Sequence, residues 1–137
     1  MAVRVLSEQK TQGWEQIMLS IHIENVGDMA IVECEGRIVR SDAAFKLREA
    51  VMSQQEARIV VLDLSEVGAI EGGGLGMLMF LQQWAHGHDI RLKLFNPRNF
   101  VSDRLERANS MLEFDIIPLE EMMALLALAD RQYALAA

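Results

Sequence analysis

The chain has 137 residues, 51% of them hydrophobic and 24% charged, which is enough apolar material for the core of one domain. A net charge of -7 and a pI near 4.9 argue against nucleic acid and anionic membrane as partners and favour a protein partner with a neutral or basic face. The single cysteine, Cys34, excludes an internal disulfide and suits a reducing compartment; no basic segment followed by a long apolar run marks a signal peptide, so the expected location is cytoplasmic.

Residues 1–18 carry little pattern. They read either as an extra strand, from the weak alternation of 2–6, or as a leader without regular structure, and the domain is expected to occupy 19–137. In 17–24, Leu19, Ile21 and Ile23 alternate with Ser20, His22 and Glu24, the pattern of a half-buried strand. Asn25-Val26-Gly27-Asp28 supplies turn residues, and 29–36 forms the returning strand of a hairpin. Ser41 or Asp42 suits the N-cap of a helix running to about Gln54, with Ala44, Leu47 and Val51 on its inner stripe and an Asp42–Lys46 pair outside.

The β-branched run 59–64 is too short for a helix and reads as a strand buried on both faces. Residues 65–70 are expected to be a loop. Glu71-Gly72-Gly73-Gly74 follows as a turn in which the backbone is flexible or takes positive φ. The helix of 75–85 then presents an open N-terminus, with its partial positive charge, to that turn. Residues 90–95 alternate as a strand. Asn96-Pro97 reads as an N-cap and first helical residue, leading a helix that turns Val101, Leu105 and Ala108 inward and stops at Asn109. A short strand over 112–116 precedes a last helix opened by Pro118, with Met122, Leu125, Leu126, Ala129 and Tyr133 on its apolar face. This order predicts an α/β fold: a mixed sheet of four to five strands flanked by about four helices.

Reactive groups do not converge along this order. His22 alternates outward from its strand, and His86 and His88, two residues apart at a helix end, are poorly placed to share a metal. Cys34 has no Cys-x-x-Cys partner and reads as a small core residue. No Lys-Ser or Lys-Thr follows the glycines, so the phosphate-loop pattern fails, and the dinucleotide fingerprint lacks its third glycine. Glu71 reads as a carboxylate compensating the helix dipole ahead of a general base. No enzyme activity, cofactor or metal is expected. From Gly72 to His88 there is no Asp, Glu, Lys or Arg, although a helix lying on a sheet normally shows water a charged face. Either neighbouring elements bury both sides of this helix, or part of it meets a partner.

The stretch Val60-Val61-Leu62-Asp63-Leu64 through Glu71-Gly72-Gly73-Gly74-Leu75-Gly76 resembles the signature of the STAS domain family, the bacterial anti-sigma factor antagonists, and the resemblance extends over about 19–128. That family has Asp-Ser-Ser-Gly-Leu-Gly where this chain has Glu71 to Gly76. The resemblance implies a partner-binding site at Glu71, Gly72, Gly73, Gly74, Leu75 and Gly76. It places Gly72 at the position of the family's phosphorylated serine, so that switch is absent here. The implied function is a non-catalytic interaction module that sequesters an anti-sigma factor or serine kinase and is constitutively competent to bind. The alternatives are a STAS-like structural subunit of a larger assembly, such as a lipid-transport ATPase complex or a stress-sensing scaffold, and a small-ligand or nucleotide-binding module. A homodimer is left open.

Overall fold

A computed structural model describes residues 19–108 and 114–136. The expectations for 1–18, Asn109 and the side chain of Tyr133 fall outside what it describes. Among the described residues nine elements follow one another: β1 (Ser20–Val26), β2 (Met29–Ile38), α1 (Ser41–Met52), β3 (Ile59–Ile70), α2 (Gly73–Gly87), β4 (Arg91–Phe95), α3 (Asn99–Ala108), β5 (Asp115–Ile117) and α4 (Leu119–Ala136). Among the described residues the strands make one sheet in the order β1-β2-β3-β4-β5. β1 runs antiparallel to β2 and the remaining pairs are parallel. The α/β fold with a mixed sheet of five strands and four helices is therefore the one its sequence predicts.

Alternation along the strands divides the core in two, because successive side chains leave opposite faces of a sheet. Ala30, Val32 and Cys34 of β2, Val60 and Leu62 of β3, and Leu92 and Leu94 of β4 point to one face. There they pack against Leu47 and Val51 of α1, Leu78, Leu81 and Ala85 of α2, and Val101 and Leu105 of α3. Met29, Ile31, Val61 and Ile117 point to the other, where Met122 and Ala129 of α4 cover them. Three helices thus lie on one face and α4 on the other.

Four local readings are corrected. Residues 65–70 are strand: β3 continues to Ile70, paired with β2 alone beyond Asp63. The register shifts twice, between Glu33 and Glu35 and between Gly36 and Arg37, each time with an extra residue on β3. These bulges put Leu64, Val67 and Ile70 on one buried row at a spacing of three, which is why the segment lacks the period-two signature. Asp63 anchors the first irregularity, its carboxylate accepting from the N–H and hydroxyl of Ser65. Helix α1 is capped by Arg40 without a side-chain bond; Asp42 accepts from the Ala43 N–H and lies 3.7 Å from Arg40 instead of pairing with Lys46. Asn96 has φ +56° and so is no N-cap; the first turn of α3 closes from the Ser102 N–H to the Arg98 carbonyl. Of the strand expected over 112–116, residues 112 and 113 lie outside the described residues; Phe114 is buried in the core outside the strand, and β5 spans Asp115–Ile117.

Lys93 of β4 alternates onto the α4 face and its side chain is 8% exposed. Its ammonium lies 2.6 Å from Asp115 of β5 and 3.3 Å from Glu121 of α4, tying both late elements to the sheet. Removing both carboxylates leaves a buried charge without compensation, whereas an apolar replacement of the lysine leaves two carboxylates that reach water. Asp115→Asn with Glu121→Gln is therefore expected to cost about 3 kcal/mol, and Lys93→Met to stay within about 1 kcal/mol of wild type; urea denaturation of the three proteins measures both.

Candidate functional site

The glycine stretch forms a tight turn joining β3 to α2. Gly72 has φ +52° and ψ -118°, and the Gly74 N–H donates to the Glu71 carbonyl at 2.9 Å. Those angles and that bond define a type II′ turn with Gly72 at its second position, where a residue without Cβ is favoured. Helix α2 starts at Gly73, two residues earlier than the sequence suggests, and the Gly76 N–H closes its first turn onto the Gly72 carbonyl at 3.1 Å.

The glycines do different work. A Cβ on Gly74 would lie 1.8 Å from the Ile38 carbonyl oxygen, so the helix rests backbone to backbone on the end of β2. Gly74 is buried and Leu75 half-buried, while Glu71, Gly72, Gly73 and Gly76 are exposed. Of the six site residues expected from sequence, Gly74 is thus a packing position, and the exposed four share the mouth of the turn. Glu71 is held from two sides: its N–H donates to the Ile38 carbonyl at 3.3 Å, and its carboxylate lies 3.4 Å from Arg104 of α3.

Beyond the turn, α2 buries Gly74, Leu78, Leu81 and Ala85 and leaves Phe80 44% exposed. The missing charge comes from its neighbour. Arg48 of α1 places its guanidinium 5.9 Å from the ring centres of both Phe80 and the exposed Phe45. The α1–α2 surface next to the turn is therefore aromatic and cationic, a composition typical of protein contacts. Phe45 and Arg48 were not singled out from sequence; the signal available was an apolar residue on the polar stripe of α1.

The remaining candidates separate. His22 is exposed on β1, and His88 engages Trp84, its Nδ1 2.8 Å from the Trp84 carbonyl and the rings stacked at 4.6 Å. On the α4 face of the sheet a depression of about 460 Å³ is lined by His22, Glu33, Glu35, Asp63, Ser65 and Glu66 among others. Among the described residues no three His, Cys, Asp or Glu side chains are placed to hold a metal ion. Cys34 is buried at 3% exposure; burial, with a smaller effect from the Asp63 carboxylate, pushes its thiol up to about 12.

The family profile of the STAS domain matches residues 20–121. The chain belongs to the STAS domain family. Among solved structures, the anti-sigma factor antagonist SpoIIAA in its unphosphorylated form superposes on this STAS domain with a TM-score of 0.63 at 13% identity, covering 76% of this chain and 93% of its own. An anti-sigma factor antagonist from Mycobacterium paratuberculosis gives 0.62 at 18% identity, covering 80% and 94%. The murine Slc26a9 anion transporter gives 0.58 at 14% identity; the match covers 83% of this chain but 19% of the transporter. At these identities the likeness is one of fold. No curated protein matches the sequence of this STAS domain significantly.

Two outcomes follow from the site geometry. Gly74→Ala drives a methyl group into the Ile38 carbonyl and is expected to cost about 3 kcal/mol or more, whereas Gly76→Ala meets nothing within 4 Å and should gain about 0.5–1 kcal/mol of helix propensity; thermal melts of the two variants distinguish them. Cys34, kept protonated and enclosed, should react with a maleimide at neutral pH only once denaturant opens the fold, a difference that mass spectrometry with and without urea records.

Proposed function

We propose that this STAS domain is a non-catalytic protein-interaction module of the anti-sigma factor antagonist kind, cytoplasmic, whose contact is the exposed glycine turn with the adjoining α1–α2 surface. One observation carries the reading: the turn stands open at the head of a helix with no charge of its own, beside exposed Phe45 and Phe80 under Arg48. A flat backbone surface with aromatic anchors suits a protein partner better than a small polar ligand. From Glu71 to Gly76 there is no hydroxyl, so no phosphate can be added there to bring about -1.5 to -2 charges into the contact. The module is then constitutively competent, and its output is set by the amounts of the two partners. The partner class is an anti-sigma factor of the serine-kinase type.

Position 73 is the place to test it. The strained φ of Gly72 would cost any side chain about 1–3 kcal/mol, whereas Gly73 is free of that strain, open, and in a first helical turn without an acidic residue. Gly73→Asp should keep or slightly raise the melting temperature, by about 0.3–1 kcal/mol from the dipole, while placing an unpaired carboxylate in the contact. Titration calorimetry of wild type and variant against the partner recovered by pull-down is expected to show an affinity drop of about a hundredfold or more. Equal affinities with an intact fold would remove the turn from the interface.

The second reading is a subunit of a larger assembly, and it draws on the occurrence of the same fold as about a fifth of a transporter chain. Among the described residues no helix is long and apolar enough to cross a membrane. Recovery of a scaffold or ATPase in place of a kinase favours this reading over the first.

A further inference from the structure

The outward side of α4 has no explanation in the fold. From Met122 to Ala129 the helix is apolar all round: Met122, Leu125, Leu126 and Ala129 face the sheet, yet Met123 is 58% and Leu128 54% exposed, and Ala124 and Ala127 lie exposed between them. A helix apolar on every side is normally covered on every side. At 3.6 residues per turn, Glu120, Ala124, Ala127 and Arg131 form one row along the outward face, with Met123 and Leu128 flanking it on opposite sides. The row is symmetric about the point midway between Ala124 and Ala127: Glu120 mirrors Arg131, Ala124 mirrors Ala127, and Met123 mirrors Leu128. Among the described residues neither Glu120 nor Arg131 has an ion-pair partner.

We propose that α4 is a homodimer surface, on which a second copy of this chain packs its own α4 antiparallel about a two-fold axis that crosses the outward row midway between Ala124 and Ala127. A two-fold contact uses the same patch on both subunits, so the patch must complement itself. This one does so in charge and in shape. Antiparallel pairing sets Glu120 level with Arg131 of the second copy, and Arg131 level with Glu120 of the second copy, closing two equivalent ion pairs. Ala124 and Ala127 meet their mirror positions, where two methyl groups let the helix axes approach at the near end of the usual 8–10 Å. Met123 and Leu128 cover the two edges of the row. A foreign partner needs no such mirror symmetry. One helix pair buries less than the roughly 1,200–2,000 Å² of a standard interface, so the contact belongs with the weak, transient ones. The surface lies on the opposite side of the sheet from the glycine turn and stands independently of the reading given to that turn.

Sedimentation equilibrium of the full chain from low to several hundred micromolar tests this. Wild type is expected to pass from monomer to dimer. E120R makes the ends of the row both positive and R131E makes them both negative, so each variant alone should dimerise at least about tenfold more weakly. An equimolar mixture of the two should recover the wild-type dimer, because each copy then meets its opposite. Circular dichroism confirms that both variants, altered only on the water side of the helix, remain folded. Wild type that stays monomeric throughout overturns the proposal, whether the row is covered by residues 1–18 or by another protein. So does a dimer that neither variant weakens, and a mixture that fails to recover overturns the antiparallel register.

Discussion

Backbone meets backbone where Gly74 lies against the carbonyl of Ile38, and the placement of the site depends on that contact. It seats the first turn of α2 on the end of β2. It also brings the Glu71 N–H to the same carbonyl, so that turn and helix are referenced to one atom of the sheet. The extension of β3 past β4 serves this arrangement: without the bulged pairing of 64–70 to β2, the chain would leave the sheet at Asp63 and the turn would have no fixed height above it. A backbone platform fixed in this way leaves little ordering to be done if a partner binds there.

Most of the architecture was legible because strands and helices here keep their periods. The hairpin, the stripe of α1, the buried run of β3 and the alternation of β4 each gave one dominant pattern, and each lies where its pattern puts it. Three kinds of information were not local. The bulges of β3 replaced alternation by a spacing of three, which has no strand signature. The partners of Asp42 and Lys93 depended on which elements come together in space: Asp42 was assigned to Lys46 by helix spacing but lies beside Arg40, and Lys93 meets Asp115 and Glu121 only because β5 and α4 pack beside it. Asn96 and the glycines differ in backbone angle, which residue type narrows but does not decide. At the site, Glu71 to Gly76 stood out by composition, whereas its neighbours Phe45 and Arg48 belong to a different element and only the packing of α1 on α2 shows them beside Phe80.

The sheet separates two surfaces of unlike character. On one side are the glycine turn, the aromatic rings and Arg48; on the other is the mirror-symmetric row of α4. A pair of copies joined through α4 would hold both turns outward and unobstructed, and a partner that is itself paired would then meet two contacts at once. The second contact forms at an effective concentration set by geometry, not by bulk solution, so two weak sites act as one strong one.

The left-handed backbone at Gly72 bears on how this lineage can change. With φ +52° and ψ -118°, the residue occupies a conformation that a serine reaches only under strain, even though open space surrounds the place where its side chain would be. A single substitution there would install a hydroxyl in a turn built against it, and the whole loop would have to be remade before the residue sat comfortably. A side chain at this position is therefore hard to acquire by a single substitution, and the turn acts as an evolutionary ratchet that holds its glycine.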